Sequence, residues 1–467
     1  MVMSNRIIVI TENKMFSGIH IREVMKMALS NLAGWNGNQT ASNSGSSCGS
    51  GDNKTAACGS SCGSGDNHTS AACGSSCGAD KYSRPLEMRF PAGTFLSETW
   101  KKCSAKPIYI KMRNMNMKQY FSEAKQYFAF QWHITDECDQ RCKHCYIFSE
   151  DTGKKLDAMN WQQIEDTFYN CLDFCEMYGR IPYFYITGGD PILHPDFWKL
   201  LGLLKEKEIP FTILGNPFHL NDDVCHKLKE YGCEKYQLSI DGMRETHDWF
   251  RKPGSFDITL EKIACIKKAG IRSVIMTTVS GTNIEEIPDI IDTVAAAKVD
   301  VFAFARYCPT SEEKDVSIEP MRYRKLLAVC DRKFKEYEKA GCETYFNKKD
   351  HLWTLYEYET GAFRIPDNVE EGMIYAGCNC GNSHLTILPN GDIYACRRVQ
   401  NSRVANVFED RLADVWICEM EGYREYDKFK KCSKCELKAW CRGCPAVASG
   451  ANGDFYDTDP QCWKEVV

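Results

Sequence analysis

The chain has 467 residues, of which 43% are hydrophobic and 26% charged, and its formal net charge is −5. This length allows two or three domains with a large buried core. The weak negative charge provides no basic field to attract nucleic acid, and no run of about 18 apolar residues could span a bilayer. The start has the pattern of a strand and a turn, not of a secretory signal, so we expect a cytoplasmic protein without a membrane partner.

The first 126 residues divide into three predicted segments. Residues 1–35 contain a short strand, RIIVI, and an amphipathic helix, and residues 82–126 form a connecting segment. Between them, residues 36–81 consist mostly of Gly, Ser, Ala, Asn, Asp, Thr and Cys. This middle segment lacks the apolar surface needed to offset its ordering entropy, so we expect it to be disordered.

The middle segment also contains a cysteine repeat. Asp52 and Asp66 each follow a cysteine by four residues. The repeated cysteines are Cys48, Cys58, Cys62, Cys73 and Cys77. A flexible linker is the simplest interpretation, although linkers seldom collect five cysteines.

Three further cysteines follow the predicted strand FAFQWHI with the spacing Cys-x3-Cys-x2-Cys: Cys138, Cys142 and Cys145. Three thiolates can hold a 4Fe-4S cluster through three of its irons, which leaves the fourth iron able to bind a small molecule. The alternative is a zinc knuckle completed by His133 or His144. Structural zinc sites favour paired Cys-x2-Cys hooks and a closed shell of four ligands.

This motif resembles that of the radical S-adenosylmethionine (radical SAM) enzymes, in which it follows the first strand of a partial α/β barrel. Six predicted strands alternate with amphipathic helices over residues 127–310, as parallel pairing with right-handed crossovers requires. The resemblance implies an α/β fold with a partial (β/α)6 TIM-like barrel. It also implies that S-adenosylmethionine and a 4Fe-4S cluster are cofactors and that a 5′-deoxyadenosyl radical is generated.

The resemblance further implies residues that bind S-adenosylmethionine at the carboxyl ends of the strands. Gly188-Gly189-Asp190-Pro191 is similar to the family's Gly-Gly-Glu-Pro element, which binds the amino group. Ser239 would contact the ribose and Arg251 the methionine carboxylate, as a charged fork. Asn216 is a weaker candidate of the same kind.

The last ninety residues carry a second group of cysteines, behind a predicted helical bridge at residues 311–377. The hairpin-like stretch SHLTILPNGDIYAC lies among them. Residues 378–467 resemble the SPASM extension of radical SAM enzymes, although Cys441-Arg-Gly-Cys444 is one residue shorter than the family pattern. The resemblance implies two auxiliary 4Fe-4S clusters, the first held by Cys378, Cys396 and Cys444, and the second by Cys432, Cys435, Cys441 and Cys462.

Two questions about these clusters stay open at the level of the sequence. Cys380 is additional to the family pattern, and either it completes the first auxiliary cluster or that cluster keeps a site open for a substrate sulfur. A pair of zinc ribbons would also use Cys-x2-Cys hooks.

The amino-terminal repeat resembles peptides that SPASM-containing maturases convert to thioether-bridged products. We therefore expect a maturase that forms thioether crosslinks in a cysteine-rich peptide, either a separate one or the repeat of this chain. An anaerobic setting and a reducing partner such as ferredoxin or flavodoxin would accompany this activity. A formylglycine-forming sulfatase maturase is the first alternative, although Arg397 stands where those enzymes place an acidic base. A non-catalytic iron-sulfur electron carrier is the second.

Overall fold

The computed structural model describes residues 126–148, 156–309 and 318–466. The predicted amino-terminal strand and helix, the cysteine repeat and all but the last residue of the connecting segment lie outside the described residues.

Ten strands and ten α-helices make up the described part of the chain. The strands are β1 Tyr127–His133, β2 Ile181–Thr187, β3 Phe211–Leu214, β4 Lys235–Ser239, β5 Arg272–Val279, β6 Val301–Arg306, β7 Tyr345–Asn347, β8 His384–Ile387, β9 Asp392–Tyr394 and β10 Arg403–Asn406. The helices are α1 Trp161–Met177, α2 Phe197–Glu206, α3 Asp222–Glu230, α4 Arg244–Phe250, α5 Ser255–Lys268, α6 Ile287–Ala296, α7 Pro320–Lys339, α8 Leu352–Glu359, α9 Leu412–Cys418 and α10 Pro445–Asn452.

The strands form one sheet in the order β10-β9-β8-β1-β2-β3-β4-β5-β6-β7. Strands β1 to β7 pair in parallel with their neighbours in sequence, so that Tyr127 lies opposite Ile181 and Val274 opposite Val301. Helices connect the successive strands, as parallel pairing demands. The prediction of a partial α/β barrel with six strand-helix units is confirmed.

The core of the barrel is strongly aromatic at its first strand. Phe128, Phe130 and Trp132 of β1 are fully buried, because a parallel strand covered on both faces needs apolar side chains along its whole length.

Helix α1 begins with a capping box, in which the Asn160 side chain accepts from the Gln163 amide at 3.0 Å and the Gln163 side chain accepts from the Asn160 amide at 2.9 Å. These local signals fix the start of α1.

The carboxyl-terminal segment extends the barrel sheet. The predicted hairpin is present, with Ile387 opposite Ile393 and a turn at Gly391, whose φ of +86° suits glycine. Strand β8 also pairs in parallel with β1, so that Ala129 lies opposite His384. Helix α9 then packs on the barrel, where the Trp416 ring lies 4.9 Å from Phe128. The hairpin and the barrel therefore share one sheet, which the sequence did not predict.

The segment predicted as a helical bridge contains α7 and α8 but also strand β7, which the sequence analysis missed. Strand β7 has three residues and, within the described residues, pairs with β6 alone. Such a short run shows no hydrophobic period, so its pairing depends on the neighbouring strand. Among the described helices, none is long and apolar enough to cross a membrane.

Candidate functional site

The three cysteines of the Cys-x3-Cys-x2-Cys motif lie in a loop beyond the carboxyl end of β1. Tight turns shape this loop, with the Cys145 amide donating to the Cys142 carbonyl at 3.0 Å. The Lys143 amide donates to the Phe250 carbonyl at 2.8 Å, so the end of α4 supports the loop. Burial raises the pKa of all three thiols, and each thiol also raises the pKa of a neighbour, as expected when the three are close together.

Gly188 and Gly189 pack against the chain that leads into this loop. A Cβ on Gly188 would lie 2.2 Å from the Thr135 carbonyl oxygen, and a Cβ on Gly189 would lie 2.1 Å from that of Glu137. The Gly189 amide donates to Thr135 O at 2.9 Å, and the Asp190 amide donates to Glu137 O at 2.7 Å. The glycine pair thus brings the loop after β2 against the cysteine loop, because no side chain would fit between them.

Asp190 is fully buried, and its carboxylate lies with Asp139 and His219 in a group whose ligand atoms are all within 4.8 Å of one another. Neither carboxylate oxygen of Asp190 makes a hydrogen bond of normal geometry in the described part of the chain. Burial and the neighbouring Asp139 raise the pKa of Asp190 to about 7, against a weaker opposing effect of the Asn216 and Ile192 amides. Such a group is suited to accept from a cation.

Asn216, a weak candidate from the sequence, contacts the cysteine motif directly. Its side-chain amide donates to Cys138 Sγ at 3.2 Å and to Asp139 Oδ1 at 2.9 Å. Ser239 ends β4 opposite Met276 and is half-buried. The structure places Ser239 at the same edge of the sheet, and its contact with a ribose stays a prediction.

Arg251 lies behind Cys142 and is held by Asp241. Its Nε donates to Asp241 Oδ2 at 2.6 Å, and its Nη1 lies 3.8 Å from Cys142 Sγ. His144 Nε2 faces the same carboxylate, at 3.3 Å from the same Asp241 oxygen. Burial alone would raise the pKa of Asp241, but Arg251 and His144 hold that pKa below its usual range. Arg251 is therefore a fixed cation beside the cysteine loop, and its pairing with a ligand carboxylate stays a prediction.

A series of hydrogen bonds between uncharged groups connects this ion pair to the cysteine loop. The Asp241 amide donates to His247 Nδ1 at 3.1 Å, so His247 Nε2 carries the proton and donates to Ser255 Oγ at 3.1 Å. Gln140 Nε2 contacts the same hydroxyl at 3.5 Å, and the Cys142 thiol donates to Gln140 Oε1 at 3.3 Å. No sequence pattern marks Asp241, His247 or Ser255, because only folding brings them behind Cys142.

The second predicted auxiliary set is assembled in the structure. Burial raises the pKa of Cys432, Cys435 and Cys441, and the Cys462 thiol adds to the rise at each of them. Local turns position these side chains, since the Cys435 amide donates to the Cys432 carbonyl at 3.1 Å and the Gly443 amide to Cys441 Sγ at 3.4 Å.

The first predicted auxiliary set is also brought together. Burial and the Cys444 and Cys396 thiols raise the pKa of Cys378 to about 12, and Cys380 is buried beside the same three sulfurs. Two residues missed at the level of the sequence join them. Cys308, which follows β6, lies beside Cys444. The Arg398 guanidinium lies among the thiols of Cys308, Cys444, Cys396 and Cys378.

Arg397 connects the cysteine loop of the barrel with the first auxiliary set. It follows Cys396 directly, its Nη2 donates to the Tyr146 carbonyl at 3.3 Å, and its guanidinium lies 4.6 Å from the Tyr146 ring centroid. Tyr146 follows Cys145. A basic side chain thus occupies the position next to Cys396 where an acidic base would be expected in a formylglycine-forming enzyme.

The arrangement of the thiols bears on which metal group they fit. Around one zinc ion, thiolate sulfurs lie about 3.8 Å apart, from Zn–S bonds of about 2.3 Å in a tetrahedron. Within the described residues, no three cysteine sulfurs all lie within 4.8 Å of one another. This fits an iron-sulfur cubane, in which each thiolate binds a different iron.

Three family patterns match separate parts of this chain. The "Radical SAM superfamily" matches residues 132–294, and the SPASM "Iron-sulfur cluster-binding domain" matches residues 378–445. The "ACGX-repeat peptide" matches residues 27–81, which include the predicted cysteine repeat.

Curated relatives include two kinds of enzyme. An AdoMet-dependent heme synthase of Methanosarcina barkeri is 26% identical over 71% of this chain and 95% of its own length. The mycofactocin maturase MftC of Mycobacterium tuberculosis is 25% identical over 71% of this chain and 81% of its own length.

Solved structures share the fold. Streptococcus suis SuiB bound to S-adenosylmethionine has a TM-score of 0.58 at 20% identity, covering 74% of this chain and 78% of SuiB. SuiB bound to its precursor peptide SuiA has a TM-score of 0.59 at 19% identity, over 77% of this chain and 80% of that one. The anSMEcpe structure with bound AdoMet has a TM-score of 0.57 at 17% identity, over 72% and 93%.

The strand order, the placement of the cysteine loop and the matches of residues 132–294 and 378–445 agree with one another. The chain therefore contains a radical SAM domain followed by an iron-sulfur SPASM domain, with an ACGX-repeat peptide segment ahead of both.

Proposed function

We propose that this chain modifies a cysteine-rich peptide by radical chemistry and forms thioether crosslinks at its cysteines. The observation that carries this proposal is the ACGX-repeat segment at residues 27–81, in one chain with a radical SAM domain and a SPASM domain. The match includes the tetrapeptides Ala-Cys-Gly-Ser at 57–60 and 72–75. Because such a segment belongs to the same chain, its encounter with the catalytic domain would be intramolecular.

The cofactors come from the cysteine motif and the residues around it. A reduced 4Fe-4S cluster on Cys138, Cys142 and Cys145 would supply the electron that cleaves S-adenosylmethionine to methionine and a 5′-deoxyadenosyl radical. Gly188, Gly189 and Asp190 would take the amino group, because the Asp190 carboxylate is buried and neither of its oxygens has a hydrogen-bond partner among the described residues. Arg251 would attract the carboxylate and Ser239 the ribose, both from the same edge of the sheet.

The crosslinking step conserves all atoms and releases one electron. A C–H bond of the peptide breaks, and its hydrogen atom goes to the deoxyadenosyl radical. The cysteine S–H loses its proton to solvent or a base, and the sulfur bonds to the carbon. The surplus electron needs an iron-sulfur acceptor. Two auxiliary 4Fe-4S clusters would provide it, one on Cys378, Cys396 and Cys444 and one on the second auxiliary set.

Mass spectrometry tests the proposal on the full chain. Protein reconstituted with iron and sulfide without oxygen, then supplied with S-adenosylmethionine and dithionite, should form 5′-deoxyadenosine. The tryptic fragments that contain the repeat cysteines should lose two hydrogen atoms for each bridge formed. Fragmentation of the modified peptides would identify the carbon acceptor of each sulfur.

Two variants make this test specific. Cys138→Ala should abolish both products while most of the iron stays bound at the auxiliary sites. The matched control is Cys418→Ser, which changes an exposed cysteine of α9 and should leave both products unchanged. If wild-type protein forms 5′-deoxyadenosine but neither the repeat nor an added peptide of residues 1–81 loses mass, the peptide proposal is wrong.

A second candidate follows from the heme synthase similarity, which extends over 95% of that relative. An iron porphyrin would then replace the peptide as substrate. The ACGX segment would not be the substrate under this alternative, so a chain lacking residues 1–81 should keep full porphyrin turnover. Incubation with an iron porphyrin, followed by chromatography of the porphyrins, separates the two candidates.

A further inference from the structure

Cys308 lies two residues beyond β6, at the end of the barrel that faces the first auxiliary set. We propose that Cys308 supplies the fourth thiolate to the auxiliary cluster held by Cys378, Cys396 and Cys444. This inference rests on the auxiliary clusters of the proposed function and not on the identity of the substrate. It would make the cluster a shared component of the barrel and the SPASM domain.

The contacts of Cys308 are those of a member of the set. Its side chain packs against the small cluster that contains Val399, Val447 and Cys444, as does Cys396. Cys396 and Cys444, which are far apart in sequence, thus meet Cys308 at one place, as ligands of a single cubane must.

A glycine in the following helix independently positions this segment. A Cβ on Gly450 of α10 would lie 1.9 Å from the carbonyl oxygen of Pro309. Only glycine at this place lets the chain after Cys308 run directly against the helix that begins at Pro445, the residue after Cys444. The helix and the barrel strand therefore bring Cys308 and Cys444 together through their backbones.

A buried ion pair fixes the same region from the other side. Arg306 of β6 binds the carboxylate of Asp459 through both of its terminal nitrogens, at 2.7 and 2.8 Å. Asp459 Oδ2 also accepts from the Cys444 amide at 2.7 Å. The end of β6 and the backbone of Cys444 are thereby joined through one carboxylate, which limits how far Cys308 can move from the set.

The charge of the site suits a cluster with four thiolates. Such a cluster carries net negative charge, and a buried anion needs a compensating cation. Arg398 is that cation, because its guanidinium lies near the thiols of Cys308, Cys444, Cys396 and Cys378.

Cys380 is the competing fourth ligand. It is buried near Cys378 and Cys396, but only one residue separates it from Cys378. The common iron-sulfur motifs place at least two residues between successive ligands, so that neighbouring thiolates can reach different irons. Cys308 approaches from a different element and has no such restriction.

Ligation by Cys308 involves no redox change. The S–H bond breaks, the proton goes to solvent, and an Fe–S bond forms. The cluster irons keep their oxidation states, so the step needs no further reactant.

Iron content and spectroscopy test this assignment without any measurement of activity. The first cluster site is removed by Cys138→Ala, Cys142→Ala and Cys145→Ala, so that the iron and sulfide that remain report on the auxiliary clusters alone. In this background we compare Cys308→Ala with Cys380→Ala, which removes a more buried thiol from the same site, and with the exposed Cys418→Ser.

The expected result is specific to Cys308. Cys308→Ala should lose at least about one iron atom per chain, with a [3Fe-4S] signal in the electron paramagnetic resonance spectrum of oxidised protein. Complete loss of one cluster in Cys308→Ala, with that cluster retained in Cys380→Ala, would also support the assignment. The Cys380 variant shows whether the loss of a buried thiol from this core is by itself enough to remove the cluster. Equal iron in the Cys308 variant and its parent, or a loss only in Cys380→Ala, would overturn it. If wild-type protein has these clusters but leaves the repeat unmodified, only the peptide proposal fails.

Discussion

Arg306 and Asp459 form a two-point ion pair across 153 residues of sequence, with both side chains buried. Asp350 accepts from Arg306 Nε at 3.0 Å, so one guanidinium neutralises two carboxylates. The pair joins the last strand of the six-unit barrel to the segment that carries the final cysteine ligand, Cys462.

Removal of the guanidinium should therefore destabilise the protein strongly. Arg306→Met leaves Asp350 and Asp459 buried without their cation, and we expect the free energy of unfolding to fall by about 3 to 5 kcal/mol. Urea denaturation monitored by circular dichroism measures this change. Arg322→Met is the control, because its pair with Glu285 is exposed and should contribute little. Equal midpoints for the two variants would contradict the structural role of Arg306.

The packing of Gly189 gives a second prediction. In Gly189→Ala the new methyl group would collide with the Glu137 carbonyl oxygen, and the loop that holds Cys138 would have to move. A displacement of about 1 Å can cost on the order of a hundredfold in rate, so we expect 5′-deoxyadenosine formation to fall by about that factor. Chromatography of the reaction products measures it.

The control for this variant is Gly422→Ala, where a Cβ meets no atom within 4 Å. It should turn over S-adenosylmethionine at the wild-type rate. Wild-type turnover by Gly189→Ala would show that the close approach of the two loops is not required.

His247 should make the stability depend on pH. Burial and the nearby Arg251 lower the pKa of His247 to about 4, whereas in the unfolded chain it is about 6.5. Above pH 6.5 both states are neutral, and as the pH falls towards 4 only the unfolded state gains the proton. The folded state therefore loses up to about 3 kcal/mol over this range.

Urea midpoints of wild type and His247→Gln between pH 7.5 and 5 test this dependence. The wild type should lose more stability than the variant as the pH falls, because the variant has no proton to bind at this position. Parallel losses in both proteins would contradict the low pKa of His247.

The amide of Asn216 should affect the reduction potential of the first cluster. Asn216→Asp removes the hydrogen bond to Cys138 Sγ and adds a negative charge beside Asp139. Both changes disfavour the reduced cluster, so we expect a more negative midpoint potential. A redox titration followed by electron paramagnetic resonance measures it. Asn221→Asp, a change at the exposed cap of α3, should leave the potential unchanged, and an unshifted Asn216→Asp would refute the role of this bond.

Much of the fold was determined by local sequence patterns. The strand runs and amphipathic helices between residues 127 and 310 alternate in the order that the sheet follows, because the period of apolar residues is a property of consecutive positions. The hairpin around Gly391 was predicted for the same reason. The cysteine loop could be recognised from the spacing of Cys138, Cys142 and Cys145, since all three residues lie in one short stretch of the chain.

Only the tertiary structure decided which distant residues meet. The parallel pairing of β8 with β1, the contact of His144 with the Asp241 carboxylate, and the approach of Cys308 to Cys444 all join segments far apart in the chain. No local period or spacing encodes such contacts, because they arise when packing of the core fixes the direction of each strand end. The sequence thus determined the chemistry that the cysteines can perform, and the folded chain determined which other side chains surround them.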